Sequence, residues 1–292
     1  MWNLIIDNIW TPLFSYDFMK RALASLFILS LSAPVIGVFL SLRKLSLSGD
    51  ALSHAILPGA AIGFLLKGLS VVAMTIGGIL AGTLVIFMSA LFSRLSRNTE
   101  DSSLAVFYLT SLALGVLIIS LSGSGVDLLS FLFGSVFTIS GDTVIFLGIN
   151  AVLTLTIMAI ILRPLIIDSV DPLYLASVSR SGPYVHFAFM FAVVMNLVAG
   201  FEAIGTLMAV GMMVIPGISA RFWSLRLGNI ILLSIAIAAI ASLAGLLLSF
   251  HLNIPGGPAV ILILGGIYLI SFLFGIRNGL VFKLFSPKHY ES

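Results

Sequence analysis

Cysteine is absent from the 292 residues. Disulfides and thiolate metal sites are therefore excluded. Charge is nearly as scarce. Only 9% of the residues are Asp, Glu, Lys or Arg, against about 25% in an ordinary soluble domain. Disorder is excluded as well, because a disordered chain has many charges and few apolar residues. The motifs of common engines are missing too. No Gly is followed by Lys, so no G-x-x-x-x-G-K-[ST] loop exists to cradle ATP, and no H-E-x-x-H occurs for a metalloprotease.

What is present is apolar bulk. Hydrophobic residues make up 60% of the chain, and mean hydropathy is +1.23. A soluble domain of this length could not bury so much apolar surface in one core. The chain therefore reads as an all-α, polytopic membrane protein and a single transmembrane domain over 1–292. The net charge of +3 fits Lys and Arg on the cytoplasmic side of a membrane, not nucleic-acid binding. The first 17 residues carry Asp7 and Asp17 without a basic start, so the run 22–42 reads as a signal-anchor span.

A membrane helix needs about 20 apolar residues. Such runs cover roughly 22–42, 70–92, 103–121, 143–162, 184–200, 203–220, 229–251 and 258–276. A shorter run, 51–66, is interrupted by Pro58; 126–139 has the length of a re-entrant or interfacial segment. Nine spans follow, with eight or ten as alternatives. Arg43, Lys44, Arg94, Arg97, Arg163, Arg180, Arg221, Arg226, Arg277, Lys283 and Lys288 then share one side, the cytoplasm. That places the N-terminus outside and the C-terminus inside. Lys20 and Arg21 flank the first span on the opposite side, against the rule.

The connection 163–183 has its own structure. Asp171-Pro172 is a helix start, with Asp as cap and Pro at the first helical position, and Gly182-Pro183 is a stop. A short helix from Pro172 to about Ser179 is expected under the membrane.

Ionisable residues at membrane depth are costly and point to function. Asp50 and His54 stand four apart in Ser48-Gly49-Asp50-Ala51-Leu52-Ser53-His54. On a helix they share a face, and a carboxylate with an imidazole can hold one divalent cation. Pro58 and Gly59, one turn on, can free backbone carbonyls. The plainer alternative is that Asp50 caps the second helix and His54 bonds a neighbouring carbonyl. Glu202, between two apolar runs, is either an outer vestibule that attracts cations or a solvated turn residue. His186 and His251 read as interfacial; Met208, Met212 and Met213 read as packing.

Three blocks then become recognisable. They are Gly37 to Gly59, with Arg43-Lys44-Leu45-Ser46-Leu47-Ser48-Gly49-Asp50-Ala51-Leu52-Ser53-His54 inside it; Gly205 to Pro216 with Ser219-Ala220-Arg221; and Leu247 to Pro258. In this order they closely resemble the permeases of bacterial zinc/manganese/iron ABC importers, over nearly the whole chain. The resemblance implies a type II ABC importer-like permease of about eight or nine helices. It implies a multi-pass protein of the bacterial cytoplasmic (inner) membrane, and a dimer with the same or another permease chain. A separate ATPase would drive it, and an extracytoplasmic metal-binding protein would feed it. The cargo would be Mn, Zn or Fe, with no permanently bound cofactor. Asp50 and His54 match the family's membrane metal site, and Asp171, Pro172, Leu173, Leu175 and Ala176 match its cytoplasmic coupling helix. Glu202 stands where the family is expected to carry a neutral residue. Two competing expectations are a proton-coupled carrier using Asp50, His54 and Glu202, and a siderophore or cobalamin permease of related architecture.

Overall fold

The computed structural model describes residues 13, 15–68, 70–96, 99–121, 136–179, 181–277 and 279–281. Among these, all regular structure is helical. The helices are α1 (Asp17–Leu42), α2 (Ser46–Ala55), α3 (Leu57–Lys67), α4 (Val71–Ser96), α5 (Glu100–Leu121), α6 (Gly141–Val170), α7 (Pro172–Val178), α8 (Gly182–Ile204), α9 (Thr206–Arg221), α10 (Leu227–Leu252) and α11 (Gly256–Phe274). A 3-10 turn at Val136–Thr138 precedes α6. It falls near the end of the expected 126–139 segment, whose residues 126–135 lie outside the described residues, as do Arg97, Arg180, Lys283 and Lys288.

Eight helical segments are long and apolar enough to cross a membrane, α2 and α3 counting together as Ser46–Lys67. The lengths expected for two runs are reversed: the short run 51–66 lies in this full-length segment, while the run 203–220 is α9, a shorter helix of 16 residues that starts only at Thr206. It runs beside α1 in the same direction. Ala209 and Met212 line a small gap with Leu29 and Ala33, and Gly217 lies against Gly37 and Val38. At Gly37 the backbone touches the carbonyl of Met213 so closely that any side chain there would collide. The chain reverses between α8 and α9 at Gly205, whose φ of 85° lies in the region that favours glycine. Among the described residues the bundle is thus traversed nine times, eight times by the long segments and once by α9.

Burial separates centre from rim. The apolar windows of α1 and α8 are 72% and 78% buried, against 17% for α5 and 28% for α11. α1 packs on α6, α8, α9 and α10. On the rim, Leu80, Ile160, Leu232 and Leu262 are each about two-thirds exposed or more. Lipid tails solvate such a surface, so packing and a few polar contacts hold the bundle together. Two of those contacts are buried: the Asn150 amide donates to the carbonyl of Met195 at 3.0 Å, and that of Asn196 to Ser32 Oγ at 2.8 Å.

The helix ends sort into two faces. On one, Arg221 donates to the carbonyl of Ser41 at 3.3 Å, the N–H of Arg277 donates to Phe222, and Arg43 reaches Asp168 and His186. On the other, Phe18 stacks edge-on with Phe137, and Tyr16 meets Phe250. Here too lie Lys20 and Arg21. Lys20 is paired with Asp17 at 3.0 Å, and Arg21 donates to the carbonyl of Ile139. Asp17 thus offsets the charge of Lys20, while Arg21 keeps its charge and gives a hydrogen bond to a carbonyl.

Candidate metal centre and coupling segment

The second span is two helices. α2 ends at Ala55 and α3 begins at Leu57. Pro58 has no N–H to give to the carbonyl of His54, four residues earlier, so the ladder breaks beside the candidate ligand. Ser111 of α5 donates to the carbonyl of Ala55 at 3.0 Å across this break. α3 lies so close to α4 that Gly59 and Gly77 meet backbone to backbone.

Asp50 is the fifth residue of α2, whose cap position is Leu45. It is therefore not a helix cap, and the capping alternative falls. The other half of that alternative falls with it. His54 Nδ1 is buried with no hydrogen-bond partner, whereas a histidine tied to a carbonyl would have one. His54 Nε2 stands 4.0 Å from Asp50 Oδ1, and the side chains are 24% and 51% exposed. The Tyr108 ring of α5 lies parallel to the imidazole, 6.4 Å away between centroids. The methyl of Met213 lies against Gly49, so α9 backs the helix that carries the pair. No local signal in the sequence points to Tyr108 or Met213 as neighbours of this site.

Glu202 is not a solvated turn residue. α8 continues through it to Ile204, and its Oε1 is buried without a partner. Among the described residues no three His, Cys, Asp or Glu side chains gather to hold a metal. The structure thus brings Asp50 and His54 together and leaves Glu202 apart. His251 bonds the carbonyl of Leu247 on its own helix at 2.8 Å. Met208, Met212 and Met213 are buried in the core.

The short helix after α6 forms as its cap requires. Asp171 accepts from the N–H of Tyr174 at 2.9 Å, and Pro172 opens α7. Leu173, Tyr174 and Val178 are 83%, 56% and 68% exposed, while Leu175 is turned inward at 5%. Leu175 therefore anchors α7 to the bundle, and the outward face is Leu173, Tyr174 and Val178.

A profile described as the ABC 3 transport family matches residues 15–275. The chain belongs to the ABC 3 transport family. It is similar to the manganese import system permease protein ScaB of Streptococcus gordonii, 31% identical over 92% of this chain and 95% of that protein. It is also similar to the manganese transport system membrane protein MntC of Halalkalibacterium halodurans, 28% identical over 94% of both. The solved structure of PsaBC from Streptococcus pneumoniae in complex with Fab superposes with a TM-score of 0.84 at 28% identity, covering 97% of this chain and 99% of that one. As an ABC 3 family member the chain is a multi-pass transport subunit of the cytoplasmic membrane, not itself a catalyst.

Proposed function

We propose that this permease moves a divalent transition metal ion, Mn, Fe or Zn, into the cytoplasm through a site that contains Asp50 and His54. The observation that carries the reading is the state of that pair. The carboxylate is half-exposed, the ring has a buried nitrogen without a partner, and among the described residues neither side chain is hydrogen-bonded to another helix, the Tyr108 ring stacked on the imidazole aside. A carboxylate at membrane depth cannot face hydrocarbon, because the charge is too costly there. This face of α2 therefore lines a polar pathway, closed by a second copy of the chain. Oxygen and nitrogen ligands suit Mn, Fe or Zn, and the metal is cargo, not a resident cofactor.

Energy comes from a separate ATPase chain, since this one has no Gly-Lys pair from which to build a P-loop. The ATPase docks on the outward face of α7. An extracytoplasmic protein delivers the ion at the opposite face. Glu202, apart from the pair, attracts cations on the outer side and is not a ligand of the same ion.

The test is uptake of radioactive manganese in cells carrying Asp50→Asn. The change keeps shape and removes charge. Uptake should fall to background with expression unchanged; near-normal uptake sinks the ligand assignment. Uptake that collapses with an uncoupler while ATP is maintained would instead favour a proton-coupled carrier.

A further inference from the structure

Arg43, at the turn between α1 and α2, gathers contacts from far along the chain. It closes α1, its N–H bonding the carbonyl of Phe39. Its Nη2 lies 2.7 Å from Asp168 Oδ2, with the two side chains only 13% and 11% exposed. The same nitrogen is 3.0 Å from His186 Nδ1, and the guanidinium carbon sits 5.4 Å from the centre of the Phe189 ring. Asp168 stands three residues before Asp171, the cap of α7. His186 is in the first turns of α8, just past α7. One guanidinium thus holds both ends of the segment that contains α7.

On its other side Arg43 is tied to the metal-bearing helix by a connection without slack. Lys44 takes a left-handed φ of 60°, and the N–H of Leu45 returns to the carbonyl of Leu40 at 2.8 Å. This is the tight six-residue closure of a helix end. α2 starts at the next residue, Ser46. Between the two sides lies a cleft of about 330 Å³, bordered by Lys44, Leu45, Ser169 and His186. The region is not packed solid, and Arg43, Asp168 and His186 themselves line the cleft. A buried ion pair adds little stability over apolar residues of the same size, but it fixes one arrangement.

We propose that Arg43 is the positioning residue that links α7 to α2, so that displacement of the docked α7 moves the helix bearing Asp50 and His54. This rests on the reading of α7 as the ATPase docking helix. The pair Arg43–Asp168 and the contact to His186 make the segment 168–186 and the α1–α2 turn move as one body.

The experiment uses the complex of permease, ATPase and metal-binding protein in proteoliposomes. The chain has no cysteine, so cysteines introduced at Leu47 and Val170, 86% and 82% exposed, can carry spin labels on α2 and at the end of α6. With Arg43 present, the distance between labels should be narrow and the same with and without ATP. In Arg43→Gln it should broaden and change on ATP binding. Uptake per ATP hydrolysed should fall about tenfold, the upper range of couplings carried by single residues, while hydrolysis itself persists. Arg43→Lys keeps the charge beside Asp168 and should recover part of that ratio. If Arg43→Gln is poorly recovered, Asp168→Asn, which leaves the guanidinium on His186 and Phe189, should show the same signature. Unchanged label distances with an unchanged uptake-to-hydrolysis ratio overturn the proposal. So does a loss of uptake and hydrolysis in equal proportion, the mark of a merely structural residue. The docking reading fails separately: with Arg43 intact, Leu173→Asp must release the ATPase, and a complex that stays together rejects docking at α7 whatever Arg43→Gln does.

Discussion

Two of the pairs of ionisable side chains among the described helices are opposites. Asp50 and His54 belong to one helix, stand 4.0 Å apart, and are partly open, with a ring nitrogen left without a partner. Arg43 and Asp168 come from different helices, meet at 2.7 Å, and are enclosed by His186 and Phe189. The first pair has spare coordination and little to do for the fold. The second is committed to protein contacts. A charge kept available for a passing ion looks different from a charge used to hold helices in place. Side-chain satisfaction tells them apart better than burial does.

The comparison can be broken most decisively at α2. His54→Ala and Asp50→Asn should each abolish uptake of radioactive manganese, yet leave the melting temperature of the purified permease nearly unchanged, because among the described residues neither side chain hydrogen-bonds another helix and His54 has only the Tyr108 ring against it. A large drop in stability for either would merge the two classes. At the other pair the order reverses. Asp168→Ala leaves a guanidinium buried without its counter-ion and should cost about 3–5 kcal/mol, read by denaturation in detergent. Replacing both residues, Arg43→Met with Asp168→Leu, should restore most of that stability but not the yield of transport per ATP.

A contrast of the same kind exists within α7. Leu173→Asp should release the ATPase with the permease intact, since Leu173 is 83% exposed. Leu175→Asp should instead reduce the amount of folded permease, because a charge would be buried under α7 without a partner. The smallest effect is expected at Glu202. Glu202→Gln keeps its shape and should lower uptake only a few-fold, far less than Asp50→Asn; an equal loss would make it a member of the same site.

Much of this was legible in the residues. Apolar runs marked the helices long enough to cross among the described residues, because hydrocarbon thickness sets a length that hydropathy can detect; α9 was marked too, although it is shorter than its run 203–220 and falls below that length. The pair on α2 was legible because four-residue spacing is a local property of a helix. The short α7 was legible from Asp171 and Pro172, whose cap chemistry is equally local. What stayed hidden is long-range. Nothing near Arg43 announces His186, 143 residues away, and nothing near His54 announces Tyr108. Of the two readings of Glu202, the solvated turn fails for a related reason. Gly200 and Gly205 around it look like a turn, but Gly200 instead admits the side chain of Ala209 from the returning helix. The helix could therefore run on through Glu202. Leu175 and Leu173 look alike in sequence, and only the docking of α7 onto α6 assigns one inward and one outward.

The shortness of α9 is tolerated because of where it sits. Sixteen residues span about 24 Å, some 6 Å less than a hydrocarbon layer of about 30 Å. A lipid-facing helix of that length would force the bilayer to thin. α9 instead packs on α1, α8, α10 and α11, and the reversal at Gly205 is buried. Its longer neighbours meet the lipid, so the mismatch is absorbed inside the protein and imposes no thinning on the membrane.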